Sequence, residues 1–152
     1  MKVYLDNCML NRPFDDQTQE RIFLETQAFL ILLKYIENGD IELITSFINT
    51  YEADSISYFD RKNKISNYLS LSHMNINLDN EIKLRALSLS RLGFTGIDAL
   101  HLACVEAGNA DYFVTYDDQV SKLANKNAHQ IIVKVVSLFK VIEDLYHVKN
   151  NK

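Results

Sequence analysis

Four acidic residues stand where a carboxylate does more than keep a protein soluble: Asp6, Glu52, Asp98 and Asp117. Asp6 follows directly on the apolar run Lys2–Leu5, Glu52 falls in a helical pattern after Ile41–Thr45, Asp98 lies three residues after Thr95, and Asp117 follows Asp111–Thr115. Each has a structural alternative. Asp98 can complete a capping box with Thr95, Glu52 can be a solvated helix residue, and Asp117 or its neighbour Asp118 can cap the next helix. Asp6 resists that treatment, because a buried strand does not end in an acid for solubility. Gathered in one cleft, four carboxylates would repel and raise one another's pKa unless a divalent cation neutralised them. Oxygen donors without Cys or His favour Mg²⁺ or Mn²⁺ over zinc.

The elements that must position these residues alternate. Lys2–Leu5, Ile41–Thr45, Asp111–Thr115 and Ile131–Val135 are β-branched or aromatic runs of strand length. Between them, apolar residues recur at helical spacing over Gln19–Glu37, which Gly39 closes, and over Asp79–Leu92, which Gly93 closes. Ser46–Tyr58, Asp60–Leu71, the segment opened by Thr95 and running to Ala107, Asp118–Asn125 and a tail to about Val148 also read as helices. Leu71–Leu78 is ambiguous between loop and short strand. Strands alternating with helices predict an α/β fold with a mainly parallel sheet and right-handed crossovers. In such a sheet every strand ends at one rim, and the four acids are predicted to meet there.

Composition narrows the chemistry. The chain has 152 residues, 47% hydrophobic and 24% charged, ordinary proportions for one domain, expected over 1–148 with a short tail at 149–152. The net charge of −4 excludes a protein held on nucleic acid by basic charge alone. Four glycines leave no GxGxxG or Walker loop. Cys8 and Cys104 form no CxxC pair and read as small apolar side chains in a reducing compartment. No apolar run approaches a membrane span, so a cytoplasmic protein is expected.

Three segments together resemble the PIN-domain family, the nucleases that include VapC-type toxins: Val3 to Asp16 (VYLDNCMLNRPFDD), Thr95 to Ala103 (TGIDALHLA) and Ala110 to Asp118 (ADYFVTYDD). The resemblance implies a three-layer α/β/α sandwich, an acidic pocket binding Mg²⁺ or Mn²⁺, and endonuclease activity, usually on RNA. By position it makes Asp6, Glu52, Asp98 and Asp117 the family's acids, with Asp6, Asp98 and Asp117 holding metal. It also implies homodimers and, for toxin members, an antitoxin partner. Many members carry Thr or Ser after the first Asp; this chain has Asn7, whose amide can still hydrogen-bond a carboxylate or a water. Asp118 competes with Asp117 as the last acid.

Supporting candidates surround these. Asn11 and Arg12 lie in the expected loop after Asp6, where Arg12 could pair with a phosphate. His101 follows Asp98 by three residues on one helical face, as a site residue or a hydrogen-bonded structural histidine. Thr115 either orients a carboxylate or ends its strand. His73, His129 and His147 show no metal-binding spacing. The reading is thus a PIN-like metal-dependent endoribonuclease acting on single-stranded RNA. Its rivals are a PIN-like module that binds RNA or protein without cutting and a receiver-type phosphoacceptor domain using Lys134.

Overall fold

The computed structural model describes residues 1–152. Five strands, β1 (Lys2–Leu5), β2 (Glu42–Ser46), β3 (Met74–Ile76), β4 (Tyr112–Val114) and β5 (Lys134–Val136), form one sheet in the order β3-β2-β1-β4-β5. Every neighbouring pair is parallel. Eight α-helices surround it: α1 (Asn7–Asn11), α2 (Glu20–Glu37), α3 (Phe47–Asp54), α4 (Phe59–Leu69), α5 (Asn80–Ser90), α6 (Gly96–Ala107), α7 (Asp118–Lys126) and α8 (Leu138–Asn150).

The sandwich has three layers because β1 is apolar on both faces. Val3 and Leu5 join one core with Phe29 and Leu32 of α2 and Val141 and Leu145 of α8. Tyr4 points the other way, into a second core with Ile82 and Leu89 of α5, Leu102 of α6 and Val120 of α7. Burial on both faces is what lets a parallel sheet persist. Gly39, at φ +80°, ends α2 in the left-handed conformation that glycine adopts without a steric penalty.

Several elements differ from expectation. The ambiguous Leu71–Leu78 stretch contains β3, a three-residue edge strand whose Met74 and Asn75 are exposed, so it carries no apolar alternation. The last strand lies later than the apolar run Ile131–Val135: register with β4 pairs Tyr112 with Lys134, while Ile131 and Val133 enter the second core before the ladder begins. The loop expected at Asn11 and Arg12 is instead the end of α1 followed by the 3-10 turn Arg12–Phe14, with Pro13 fitting its start. The helix expected over Ser46–Tyr58 stops at Asp54. Helix α8 continues through Asn150, where Lys149 pairs with Asp40 at 3.0 Å, so the expected tail is partly ordered helix. No helix is long and apolar enough to cross a membrane.

In the order 3-2-1-4-5, the chain first builds outward on one side of β1 and then returns to build on the other. The carboxyl ends of β1 and β4 therefore flank the topological switch point, where open parallel sheets leave a crevice. Asp6 follows β1 and Asp117 follows β4.

Candidate metal and active site

Asp6 is 8% exposed at the end of β1, and its backbone N–H still bonds the Val114 carbonyl at 2.9 Å. The buried Thr115 donates its hydroxyl to Asp6 Oδ2 at 2.8 Å and accepts the Asp117 N–H at 3.0 Å. Of the two roles open to Thr115 in the sequence, orienting a carboxylate is the one its side chain performs.

Glu52 reaches the same place from α3. That helix starts with a full capping box: Ser46 Oγ accepts the Ile48 N–H at 3.2 Å, and Asn49 Oδ1 accepts the Ser46 N–H at 2.9 Å. Asn49 also donates to the Leu5 carbonyl at 3.1 Å and to Asn7 Oδ1 at 2.7 Å, while Asn7 Nδ2 donates to the Asn49 carbonyl at 3.0 Å. This amide pair clamps the start of α3 to the end of β1, and so fixes the Glu52 helix relative to Asp6. Both Asn7 amide atoms are engaged in that clamp. Asn49 stands where the usual capping box has Glu or Gln, so the sequence pattern alone does not single it out.

Asp98 is half-buried in the first turn of α6, with the Thr95 hydroxyl accepting its backbone N–H at 3.2 Å. Burial raises its carboxyl above the usual range, the Thr95 hydrogen bond opposes this, and the charges of Asp6 and Asp117 add to the rise. Asp98 therefore lies within electrostatic reach of both acids. Asp117 caps α7, accepting the N–H groups of Gln119 at 2.9 Å and Val120 at 3.2 Å, and is exposed. Asp118 turns elsewhere: Arg21 grips it through two bonds of 2.9 and 3.0 Å and holds its carboxyl below the usual range.

His101 is fully buried one turn beyond Asp98. Its Nε2 hydrogen-bonds Glu52 and lies 3.9 Å from Asp6 Oδ1, and its Nδ1 is 2.7 Å from the Tyr4 hydroxyl. Asp6, Glu52 and His101 each offer one ligand atom within 4.8 Å of the others, a buried group that could hold a metal ion. The three residues whose ligand atoms meet are Asp6, Glu52 and His101, so His101 joins two of the expected acids.

Asn11 and Arg12 serve the scaffold. Asn11 accepts from Arg61 at 2.7 and 3.0 Å and donates to the Asn7 carbonyl at 2.8 Å. Arg12 pairs with the buried Glu25 at 3.0 Å and with Asp15 at 3.1 Å, and lies over the Tyr116 ring at 5.2 Å. Cys8 and Cys104 are free thiols, pushed up to about 12 and about 11 chiefly by burial. Lys134 pairs in register with Tyr112 at the start of β4, the edge of the sheet opposite Asp6, which removes the lysine that a receiver-type site needs.

A parallel sheet in this order, covered by helices on both faces and carrying acids at its switch point, is a PIN-like α/β fold. One solved structure with this architecture is VapBC2 from Rickettsia felis bound to a DNA fragment from their promoter; its TM-score is 0.56 and its identity 13%, over 90% of this chain and 98% of that one. No protein-family model and no curated protein matches the sequence.

Proposed function

We propose that the chain is a metal-dependent endoribonuclease of the PIN type, cytoplasmic, homodimeric and partnered by an antitoxin protein. The observation that carries this reading is the meeting of Asp6 and Glu52 at the switch point of a PIN-like sheet, with Asp98 electrostatically coupled to Asp6 and Asp117. The donor set is hard oxygen, which suits Mg²⁺ or Mn²⁺. Asp6, Asp98 and Asp117 would hold the ion, directly or through water, and Glu52 would orient a water. When bound, such an ion supplies an activated water and neutralises charge on a phosphodiester. The chain's own part is to keep these carboxylates in place: Thr115 steadies Asp6, the Asn7–Asn49 clamp steadies α3, and Thr95 steadies the first turn of α6. A cation between protein and substrate also accounts for an acidic chain acting on an anion. Single-stranded RNA fits best, because an unpaired backbone can bend into a crevice that a rigid duplex cannot enter. An antitoxin partner is suggested by the likeness to VapBC2.

Purified protein incubated with Mn²⁺ and single-stranded RNA should cut it, chelation should stop the cutting, and Asp6→Asn should abolish it while leaving the fold intact, since the amide removes ligand charge at nearly constant volume. Undiminished cutting by folded Asp6→Asn would overturn the assignment. RNA bound but never cut would favour the non-cutting PIN-like module.

A further inference from the structure

The buried histidine beside the acids is held from behind. Tyr4 on β1, Ser46 at the end of β2 and His101 on α6 lie in a line that ends on Glu52: Ser46 Oγ is 2.5 Å from the Tyr4 hydroxyl, which is 2.7 Å from His101 Nδ1, and His101 Nε2 meets Glu52 Oε1. Tyr4, Ser46 and His101 have no exposed surface, so no solvent competes for these bonds. The rings of Tyr4 and His101 both pack on Phe113, at centroid distances of 5.7 and 6.2 Å, which restricts their rotation.

Hydrogen bookkeeping gives the line one direction. Ser46 Oγ accepts the Ile48 N–H, leaving its own hydrogen for Tyr4. Tyr4 then donates to Nδ1, and Nε2–H donates to the Glu52 carboxylate. Reversed in a neutral ring, with Nδ1–H donating to Tyr4 and Tyr4 to Ser46, the line would set the Nε2 lone pair against a carboxylate, two acceptors in contact. A protonated ring also carries hydrogen on Nε2.

We infer that the Ser46–Tyr4 pair fixes His101 with hydrogen on Nε2, which makes His101 a positioning residue that presents Glu52 to the site and leaves it no lone pair with which to ligate a metal. This rests on the metal-dependent reading for its consequence, although the ring state itself is independent of metal. It divides the Asp6–Glu52–His101 cluster into two carboxylates that face the cation and one imidazole that orients one of them, the arrangement that outer-shell partners give to ligands elsewhere. Tyr4, two residues before Asp6, becomes a positioning residue acting through His101.

The test begins with nitrogen NMR of the His101 ring in the metal-free full-length protein. Nε2 should be protonated and Nδ1 bare, and Tyr4→Phe, which keeps the ring and its packing, should shift the Nδ1 resonance by removing its only hydrogen-bond donor. An Nε2 without hydrogen in the unmutated protein overturns the proposal. With Mn²⁺ added, Tyr4→Phe should weaken binding by about 10–100-fold. His101→Gln, which retains an N–H donor toward Glu52, should bind better than His101→Ala, and pulsed EPR should detect no imidazole nitrogen bonded to Mn²⁺. A bonded imidazole nitrogen, or equal loss in His101→Gln and His101→Ala, overturns the positioning role. An unmutated protein that binds no Mn²⁺ overturns the metal reading, and the ring NMR still decides the state of His101.

Discussion

Thr115 and Asp6, 109 residues apart, meet through a 2.8 Å hydrogen bond from the threonine hydroxyl to Oδ2, and the same hydroxyl accepts the Asp117 N–H at 3.0 Å. One small side chain therefore connects the acid after β1 with the acid after β4, across the strand pair that flanks the switch point. The contact is buried, so the hydroxyl fixes which oxygen of Asp6 remains free.

Removing that hydroxyl should loosen the site without unfolding it. Thr115→Val keeps shape and β-branching, and is expected to lower Mn²⁺ affinity by about 10–100-fold, the usual effect of losing a partner that orients a metal ligand. Thr115→Ser keeps the donor and should bind nearly as the unmutated protein does. Titration calorimetry on both variants checks this, and an unaffected valine variant would reduce Thr115 to a strand end.

The amide clamp predicts a stability effect. Asn49 is 1% exposed and bonds the Leu5 carbonyl, Asn7 Oδ1 and the Ser46 N–H. Asn49→Ala leaves these groups buried and unpaired, at about 1–3 kcal/mol for each unsatisfied group. Urea unfolding should show a loss of at least about 2 kcal/mol. A change below about 0.5 kcal/mol would mean that water replaces the amide and α3 is held by packing alone.

The layers and most helices were legible in the sequence because they rest on long apolar periodicities, and the rim carrying Asp6 and Asp117 follows from strand ends alone. What was not legible rests on short or cross-chain features. Strand β3 has three residues and an exposed edge, so periodicity had nothing to act on. The end of α2 was legible in Gly39, whereas β5 was displaced because Ile131 and Val133 are buried outside the ladder. At the site, the sequence leaves His101 open between a site residue and a structural histidine, because its partners Tyr4 and Glu52 are 97 and 49 residues away. Asp117 and Asp118 differ in a cross-chain partner, Arg21, which holds Asp118 and which their adjacency in sequence does not reveal.

Asp98 predicts a pH dependence. Its carboxyl is raised by burial first, opposed by the Thr95 bond, and raised further by Asp6 and Asp117. The folded chain thus keeps this proton at a pH where the unfolded chain, with an ordinary value of 3.8, has lost it. Where the folded state binds more protons, stability falls as pH rises, so this contribution declines from the ordinary carboxylate value up to the folded one and stays low at neutral pH. Urea unfolding of metal-free protein between pH 4 and 7 should show Asp98→Asn with a flatter or more positive slope than the unmutated chain. Mn²⁺ at 100 times its dissociation constant should restore about 2.7 kcal/mol to the unmutated protein and less to the variant. Identical pH profiles would place Asp98 in ordinary solvent.

The outer face of α2 predicts association. Its six consecutive apolar residues, Ala28 to Leu33, exceed what one stripe can bury against a sheet. The helix divides them: Ala28, Phe29, Leu32 and Leu33 are buried with Ile36, while Leu30 and Ile31 remain 40% and 44% exposed. Phe23 and Leu24, 47% and 48% exposed, precede that pair by seven residues each, which aligns all four along one side of the helix. The chain's own helices leave this stripe in water, and an aligned apolar stripe is an association site. A second copy meeting it about a two-fold axis would pair α2 with α2, in the self-complementary manner of most homodimers. Analytical ultracentrifugation should find a dimer at micromolar concentration, and the double variant Leu30→Glu, Ile31→Glu should be monomeric with its fold retained. A monomer at every concentration would refute the dimer and leave the nuclease reading intact, because each chain carries Asp6, Glu52, Asp98 and Asp117.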